Sequence, residues 1–264
     1  YAKRMLKLCF VSLGASGMFQ RPQSTQGGAE LQMYLWAKEI AKRNEFTACF
    51  IVGSDPKNRQ GQRNNITLYT VEEQTSNSSF QKKIRFAIAF MESLRKVDAD
   101  VYITTARSAL NGLVALHCLV RGKKHIHRIA NDHELVSDSF SSLGTLHHWG
   151  VRMADIIICQ NDQQRQIVKK RLNRQAKRVN NYMGFHVQKN TRKREFILWI
   201  GRGIPRKQPE LFMQLCKDFP QEHFVMVCTP GKDPDYQELI RHYAAQYSNL
   251  RFYNLMPLAE VSEF

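Results

Sequence analysis

An apolar run near the end of the chain leads directly into a glycine and two cations. Gly201 and Arg202 follow the run 196–200, and Lys207 comes five residues later, just before a helical pattern that starts at Pro209. Glycine lets the backbone come close to a ligand, arginine offers two parallel donors to phosphate oxygens, and lysine offers a point charge. The free N–H groups of the following helix would add to the attraction. The spacing indicates a diphosphate site, with a solvated basic loop as the alternative interpretation.

Two adjacent glycines form a second candidate for contact with an anion. Gly27 and Gly28 lie between the first predicted strand and the first predicted helix. At a helix start they allow close approach and present N–H groups to an oxyanion. The segment is not a G-x-G-x-x-G motif, so it does not indicate a dinucleotide site. A turn without a ligand is the alternative interpretation.

Strands and helices must hold these residues in place, and hydrophobic periodicity predicts both. Short β-branched or aromatic-rich runs predict strands at 6–13, 48–52, 66–69, 100–104, 125–130, 155–160, 178–182, 195–201, 223–228 and 250–253. Amphipathic patterns between them predict helices at 28–43, 80–96, 107–120, 162–172, 209–218 and 236–247. This alternation predicts an α/β fold of doubly wound parallel sheets, with ligands at the carboxyl ends of the strands.

Two domains are expected in 264 residues, because a domain averages about 150 residues. The predicted break is 183–194, the last part of a segment at 163–194 that is rich in lysine and arginine and contains no acid. A fresh series of strands begins after it. The predicted domains are therefore 1–185 and 186–264.

The net charge of +16 indicates anionic partners such as phosphorylated ligands, acidic lipid or nucleic acid. Nucleic acid is disfavoured because the basic segment lacks interleaved aromatic residues and a reader module. No apolar run approaches the roughly 18–20 residues that cross a bilayer, and the start of the chain is interpreted as a buried strand rather than a signal peptide. Six scattered cysteines without a C-x-x-C pair indicate a reducing, cytoplasmic setting. Neither they nor His147 and His148 have the spacing of a metal site.

The order of these motifs resembles the family-4 type of GT-B glycosyltransferases. The resemblance is carried by Gly27-Gly28-Ala29-Glu30 at a helix start, by the strand 154–161 that begins Ala-Asp, and by Gly201-Arg202 followed by Lys207. A strand at 224–228, a helix at 235–247, and a strand and turn at 251–257 follow in the family's order. The resemblance extends over nearly the whole chain.

The resemblance implies an enzyme whose active site lies between two Rossmann-like domains, with 1–185 as the acceptor-side domain and 186–264 as the first part of the domain that binds nucleotide sugar. It implies transfer of a sugar from a UDP- or GDP-type donor to a hydroxyl acceptor, with retention of anomeric configuration. Arg202 and Lys207 would hold the donor diphosphate and stabilise its departure without a metal or other cofactor, while Gly27, Gly28 and Gly201 would approach the bound substrates. The acceptor would be a saccharide or a lipid-linked saccharide in polysaccharide biosynthesis.

The chain departs from the family pattern in two places. The family's usual histidine at the end of a strand of the first domain has no clear counterpart, and Asp132 and His133, just past the strand 125–130, are the candidates for its catalytic role. Ordinary polar residues at a loop start are the alternative. The family's Glu-x7-Glu motif does not occur before Phe264, so a C-terminally truncated chain is expected, without the carboxylate that grips the ribose. A GT-B-like nucleotide-sugar epimerase and a non-catalytic module that binds anions or membranes are the alternative functions.

The helix at 162–172 is a candidate for contact with a membrane. It places Arg165 and Lys169 one turn apart, beside Lys170 and Arg171, and such a face would dock on an anionic bilayer. A solvated helix face is the alternative. The expected location is cytoplasmic, with peripheral contact at the inner face of the membrane as a further expectation.

Overall fold

The chain forms two compact units, Tyr1–Gly184 and Phe185–Phe264, in a computed structural model. The structure describes residues 4–20, 27–55, 61–63, 65–72, 80–135, 142–182, 195–231, 233–254, 256 and 260. The predicted domain break at 183–194 lies outside these residues.

The first unit is built on one sheet of eight strands with helices between them. Its elements are β1 (Leu6–Val11), α1 (Gly28–Ile40), β2 (Phe46–Gly53), β3 (Gly61–Arg63), β4 (Ile66–Val71), α2 (Phe80–Val97), β5 (Val101–Thr105), α3 (Leu110–Arg121), β6 (Lys124–Arg128), α4 (Ser142–Met153), β7 (Ile156–Cys159), α5 (Asp162–Leu172) and β8 (Lys177–Arg178). The strand order is β3-β4-β2-β1-β5-β6-β7-β8, and every pair is parallel except β3 with β4. The order reverses between β1 and β5, which is where a doubly wound sheet opens a crevice for a ligand.

Alternate residues of the central strands are buried on opposite faces of this sheet. Phe10 packs with Met33 of α1 in one core, while Cys9 packs with Phe90 of α2 and Val114 of α3 in the other. A parallel sheet that is covered on both faces requires such continuous apolar strands. The α/β prediction is confirmed, because helices pack on both sides of a mostly parallel sheet.

The second unit repeats the alternation on a smaller scale. Its elements are β9 (Ile197–Gly203), α6 (Pro209–Asp218), β10 (Phe224–Pro230), α7 (Pro234–Ala244) and β11 (Leu250–Tyr253). The three strands are parallel in the order β11-β10-β9. Phe212, Met226 and Ile240 belong to the core between the sheet and its helices.

All six cysteines are buried and none forms a disulfide: Cys9, Cys49, Cys118, Cys159, Cys216 and Cys228. Burial raises the pKa of the Cys118 thiol to about 12 and that of the Cys228 thiol to about 11. These thiols therefore act as small apolar groups of the core.

The sequence did not predict α4, which the structure places firmly against α3. Glycine is a poor helix former, and α4 contains Gly144 and Gly150. The packing explains Gly150, since a Cβ there would lie 2.5 Å from the carbonyl oxygen of Asn111. Close contact between the two helices outweighs the weak local preference for a helix.

The predicted strand 178–182 is wrong beyond Arg178. β8 has only two residues, because the chain then turns its polar groups to other partners. The Tyr182 N–H donates to Gln32 Oε1 at 2.8 Å, and Gln32 Nε2 donates to the Tyr182 carbonyl at 2.7 Å. This pair of bonds ties the end of the first unit to α1 instead of to the sheet.

Candidate functional site

The structure places Arg202 and Lys207 on one short loop at the carboxyl end of β9. Arg202 is the second-last residue of the strand, in register with Thr229 of β10. A single 3-10 turn, Pro205–Lys207, follows, and the Lys207 N–H donates to the Ile204 carbonyl at 2.8 Å. Both cationic side chains are exposed, and neither forms an ion pair within the part of the chain that the structure describes.

Close backbone packing fixes the path of this loop. A Cβ on Gly231 would lie 2.6 Å from the Gly203 carbonyl oxygen, and a Cβ on Gly203 would lie 2.8 Å from Gln237 Oε1. Gln237, a nearly buried residue of α7, donates from Nε2 to the same Gly203 carbonyl at 2.5 Å. The ends of β9 and β10 are thus held together below the loop, while the two cations point outward.

Gly201 has a local packing reason to be glycine. A Cβ there would lie 2.7 Å from the indole ring of Trp199. The predicted approach of a ligand to Gly201 stays a prediction. Sequence reasoning missed Gln237, because its bond to Gly203 joins residues 34 apart.

The helix after this loop begins at a residue with left-handed backbone. Gln208 has φ 49° and ψ 53°, an uncommon conformation for a residue other than glycine. Pro209 then starts α6 with Glu210 in the first turn, and Glu210 accepts a hydrogen bond from the Tyr236 hydroxyl. The predicted anion-attracting helix start therefore already has one carboxylate beside it.

Gly27 and Gly28 lie at the amino end of α1, as the sequence predicts. Gly27 caps the helix in extended backbone, and a Cβ on Gly28 would meet no atom of the described residues within 4 Å. Open space over the first turn is compatible with contact to an oxyanion. Glu30 lies in the same turn. The polar segment at 21–26 that precedes these glycines lies outside the described residues.

Asp132 and His133 form a 3-10 turn just past β6 with Glu134. Asp132 is half-buried, and its Oδ1 accepts a hydrogen bond from Gln164 Nε2 at 2.9 Å. His133 is exposed. Of the two predicted catalytic candidates, the imidazole is thus the more accessible to a ligand.

Glu134, which the sequence analysis did not single out, lies in a buried polar network below this turn. Its Oε1 is 2.6 Å from His127 Nε2, and its Oε2 accepts from the Ala130 N–H at 2.8 Å. His147 Nε2 lies 3.8 Å from the same Oε1. Thr104 Oγ1 stands 2.8 Å from His127 Nδ1 and 2.9 Å from His125 Nε2. The network joins β5 and β6 to α4 immediately behind the strand ends.

Burial sets the charges in this network. It lowers the pKa of His125 to about 3 and that of His147 to about 4. Burial alone would raise the pKa of the Glu134 carboxyl, but its interaction with His127 and the hydrogen bond from Ala130 outweigh that effect and lower it. At neutral pH Glu134 is therefore a carboxylate, and His125 and His147 are neutral. Because these side chains are fully buried, they support the site rather than touch a substrate.

A buried guanidinium lies at the end of the same strand. Arg128 is 1% exposed, donates from Nη2 to Asn181 Oδ1 at 2.6 Å, and has its Cζ 5.6 Å from the centre of the Trp36 ring. Its Nε and Nη1 atoms have no hydrogen-bond partner among the residues that the structure describes. Asn181 in turn donates to Gln160 Oε1 at 3.0 Å. This cation fixes the chain after β8 against the carboxyl end of β6.

Two structural findings bear on metals and membranes. In the ranges the structure describes, no group of three or more His, Cys, Asp and Glu residues is placed to hold a metal ion. None of the helices in those ranges combines the length and apolar character needed to traverse a bilayer.

No protein-family model and no curated protein sequence matches the chain. Solved structures do match it. Sucrose-phosphate synthase from Thermosynechococcus elongatus is similar with a TM-score of 0.65 and 14% identity, over 97% of this chain and 72% of that one. The Anabaena protein HepE in complex with UDP and glucose is similar with a TM-score of 0.62 and 13% identity, over 97% of this chain and 72% of that one. UDP-GlcNAc 2-epimerase from Neisseria meningitidis bound to UDP-GlcNAc has a TM-score of 0.57 and 11% identity, over 96% of this chain and 72% of that one.

The chain has a GT-B-type Rossmann-like fold. At these identities the likeness establishes the fold alone. The similarity extends over both units of the chain. The similar GT-B structures include both a synthase and an epimerase. The family-4 assignment and the truncation stay predictions.

Proposed function

We propose that this GT-B protein transfers a sugar from a UDP- or GDP-type donor to a hydroxyl acceptor, with retention of configuration. The observation that carries the proposal is the pair of exposed cations, Arg202 and Lys207, on the loop after β9. Like-charged side chains on one short loop repel each other, so an anion between them is stabilised from both sides. Several of the similar structures contain UDP or a UDP-sugar, which supports this class of ligand.

In this proposal the donor diphosphate takes the place of a counterion. Arg202 donates in parallel to two phosphate oxygens and Lys207 adds a point charge. When the bond between the sugar C1 and the phosphate oxygen breaks, its electron pair stays on the diphosphate, and the two cations stabilise that charge. The acceptor oxygen forms the new bond to C1, and its proton passes to the departing phosphate on the same face. The step needs no metal ion.

The first unit supplies the acceptor side of the proposal. Gly27 and Gly28 leave the start of α1 open, and His133 presents an exposed imidazole beyond β6. We assign His133 to a hydrogen bond with a substrate hydroxyl and Asp132, held by Gln164, to the shape of that turn. The acceptor is a saccharide or a lipid-linked saccharide of polysaccharide biosynthesis, met in the cytoplasm or at the inner face of its membrane.

Nucleotide binding tests the role of the cations. UDP or GDP is expected to raise the thermal midpoint of the 264-residue chain, and Arg202→Ala and Lys207→Ala are each expected to remove most of that rise. Arg206→Ala is the matched control, because Arg206 is an exposed cation in the same turn. An equal loss in the Arg206 variant, or no rise with either nucleotide, would contradict the proposal.

An epimerase is the second candidate, favoured by the similarity to the UDP-GlcNAc 2-epimerase structure. An epimerase inverts a carbon of the nucleotide sugar without an acceptor, whereas a transferase consumes the donor only when an acceptor is present. Proton NMR of UDP-GlcNAc incubated with the protein separates the two. A new C2 epimer in the absence of acceptor identifies an epimerase. Nucleotide binding with no turnover under either condition identifies a non-catalytic anion-binding module.

A further inference from the structure

The outward side of α2 carries an apolar line that no described part of the chain covers. Phe80, Ile84 and Ile88 follow one another at intervals of four residues and are 77%, 45% and 55% exposed. This spacing places them on one side of the helix. The core of the unit is served by other residues of α2, namely Phe90 and Leu94. The helix therefore has two apolar surfaces: one packs in the core, and the other is exposed among the described residues.

Cations flank this apolar line. Lys83, Arg85, Arg95 and Lys96 are all exposed, and the only acid in α2 is Glu92. None of the four forms an ion pair with an acid in the ranges that the structure describes. Exposed apolar side chains bordered by unpaired cations are typical of helices that lie in the interface of an anionic bilayer.

The neighbouring helix extends the same kind of surface. Leu116, Leu119 and Val120 of α3 are 42%, 62% and 72% exposed, at a spacing that puts them on one side of the helix. α3 shares a core cluster with α2, so the two helices belong to one layer over the sheet. Leu119 also lines a surface cavity with Met153 of α4. Arg121 ends α3 and adds a further cation.

The basic helix α5 has charge without this apolar component. No large apolar side chain of α5 is exposed. Asp162 pairs with both Arg165 and Arg178, at 3.0 and 2.8 Å, so part of the positive charge is neutralised within the protein. The membrane contact predicted for 162–172 is therefore less well supported than one through α2 and α3.

We propose that the outward faces of α2 and α3 dock on an anionic lipid bilayer. Ile84 and Ile88 of α2 and Leu119 and Val120 of α3 enter the boundary between headgroups and acyl chains. The cations of α2 bind the headgroup phosphates beside them. Apolar burial and charge attraction each contribute to the affinity, so binding requires both. This surface contains neither Arg202 nor Lys207, and binding to the bilayer requires no nucleotide.

Vesicle flotation tests the proposal with the full 264-residue chain. Binding is expected to vesicles of phosphatidylcholine mixed with phosphatidylglycerol, and not to phosphatidylcholine alone. The double variant Lys83→Gln plus Arg85→Gln is expected to weaken binding roughly 30-fold, about fivefold for each cation. The double variant Ile84→Ser plus Ile88→Ser is expected to weaken binding to the mixed vesicles tenfold or more. This loss is expected at both low and high salt, because it comes from apolar burial.

The matched control removes the same charge from α5. Lys169→Gln plus Lys170→Gln changes two exposed cations on a helix without exposed large apolar residues, and it is expected to change binding less than twofold. A loss equal to that of the α2 charge variant would show that only net charge matters, and would overturn the proposal. Absence of binding to the mixed vesicles would also overturn it. So would a dimer in sedimentation velocity that dissociates in the Ile84→Ser plus Ile88→Ser variant, because a second copy would then occupy the face.

Discussion

Glu134 Oε1 lies 2.6 Å from His127 Nε2, and neither side chain is exposed to solvent. The carboxylate also accepts the Ala130 N–H, so it connects the end of β6 to the turn that carries Asp132 and His133. A charge at such depth is stabilised by its partners rather than by water. The position of the turn therefore depends on a residue that no substrate contacts.

Removal of the Glu134 carboxylate is expected to destabilise the first unit strongly. Glu134→Ala leaves His127 without its partner and the Ala130 N–H unsatisfied, and breaking a buried pair of this kind costs about 3–5 kcal/mol. Urea unfolding measures the change. Asp98→Asn is the control, because Asp98 is 61% exposed and its surface pair with Lys123 is worth about 1 kcal/mol or less. Equal effects of the two variants would contradict a structural role for the buried pair.

Stability is expected to fall below neutral pH because of His125 and His147. The pKa values in the folded chain, about 3 and about 4, lie below the unfolded value of about 6.5, so the unfolded state binds more protons as the pH falls. The stabilisation is complete above pH 6.5 and is lost between there and the folded pKa values.

Between pH 7 and pH 5 the loss amounts to about 2 kcal/mol for each histidine. Urea unfolding at the two pH values gives the number, and His147→Gln is expected to remove the share of one histidine, about 2 kcal/mol. A variant whose pH dependence matches the unaltered protein would exclude His147 as a source.

A side chain at Gly231 is expected to destabilise the close packing between the ends of β9 and β10. Gly231→Ala would place a Cβ 2.6 Å from the Gly203 carbonyl oxygen, which moves the loop and destabilises the second unit by about 1–3 kcal/mol. Nucleotide-induced stabilisation is expected to fall with it. Gly28→Ala serves as the control for thermal unfolding, since its Cβ would meet no atom within 4 Å in the part of the chain that the structure describes. Equal thermal midpoints for both variants would disprove the close packing at Gly231.

Arg128 is expected to lower the stability of the chain. Two of its buried nitrogen atoms, Nε and Nη1, find no acceptor in the described ranges, and its charge is permanent. Arg128→Met replaces the guanidinium over the Trp36 ring by an apolar end and removes the buried charge, so the free energy of unfolding is expected to stay the same or rise by about 1–2 kcal/mol. Chemical unfolding measures it. A large loss of stability would show that the single bond to Asn181 outweighs the cost of burying the charge.

Local patterns predicted most of the architecture because each element has its own periodicity. β1 contains the apolar run 8–11 and β10 the apolar run 224–228, and α5 begins and ends at the predicted residues. Arg202 and Lys207 were found because their adjacency to a strand end is visible in the sequence. Their role as ligands stays a prediction.

The supporting contacts were not visible, because they join residues that only the packed chain brings together. His147 reaches Glu134 from α4, whose glycines hide the helix, and Gln237 reaches Gly203 across 34 positions. The sequence around a polar residue in an amphipathic helix does not indicate which distant residue it will contact.

Because all six thiols are buried, their reactivity measures partial unfolding of the chain. Cys9, Cys49, Cys118 and Cys159 lie in the first unit, and Cys216 and Cys228 lie in the second. A thiol reagent can modify them only in molecules that have opened, and whole-protein mass spectrometry counts the adducts. A chain with two adducts has an unfolded second unit, which contains two cysteines. A chain with four adducts has an unfolded first unit, which contains four. The order in which the cores of the two units open can thus be followed without introducing a new cysteine.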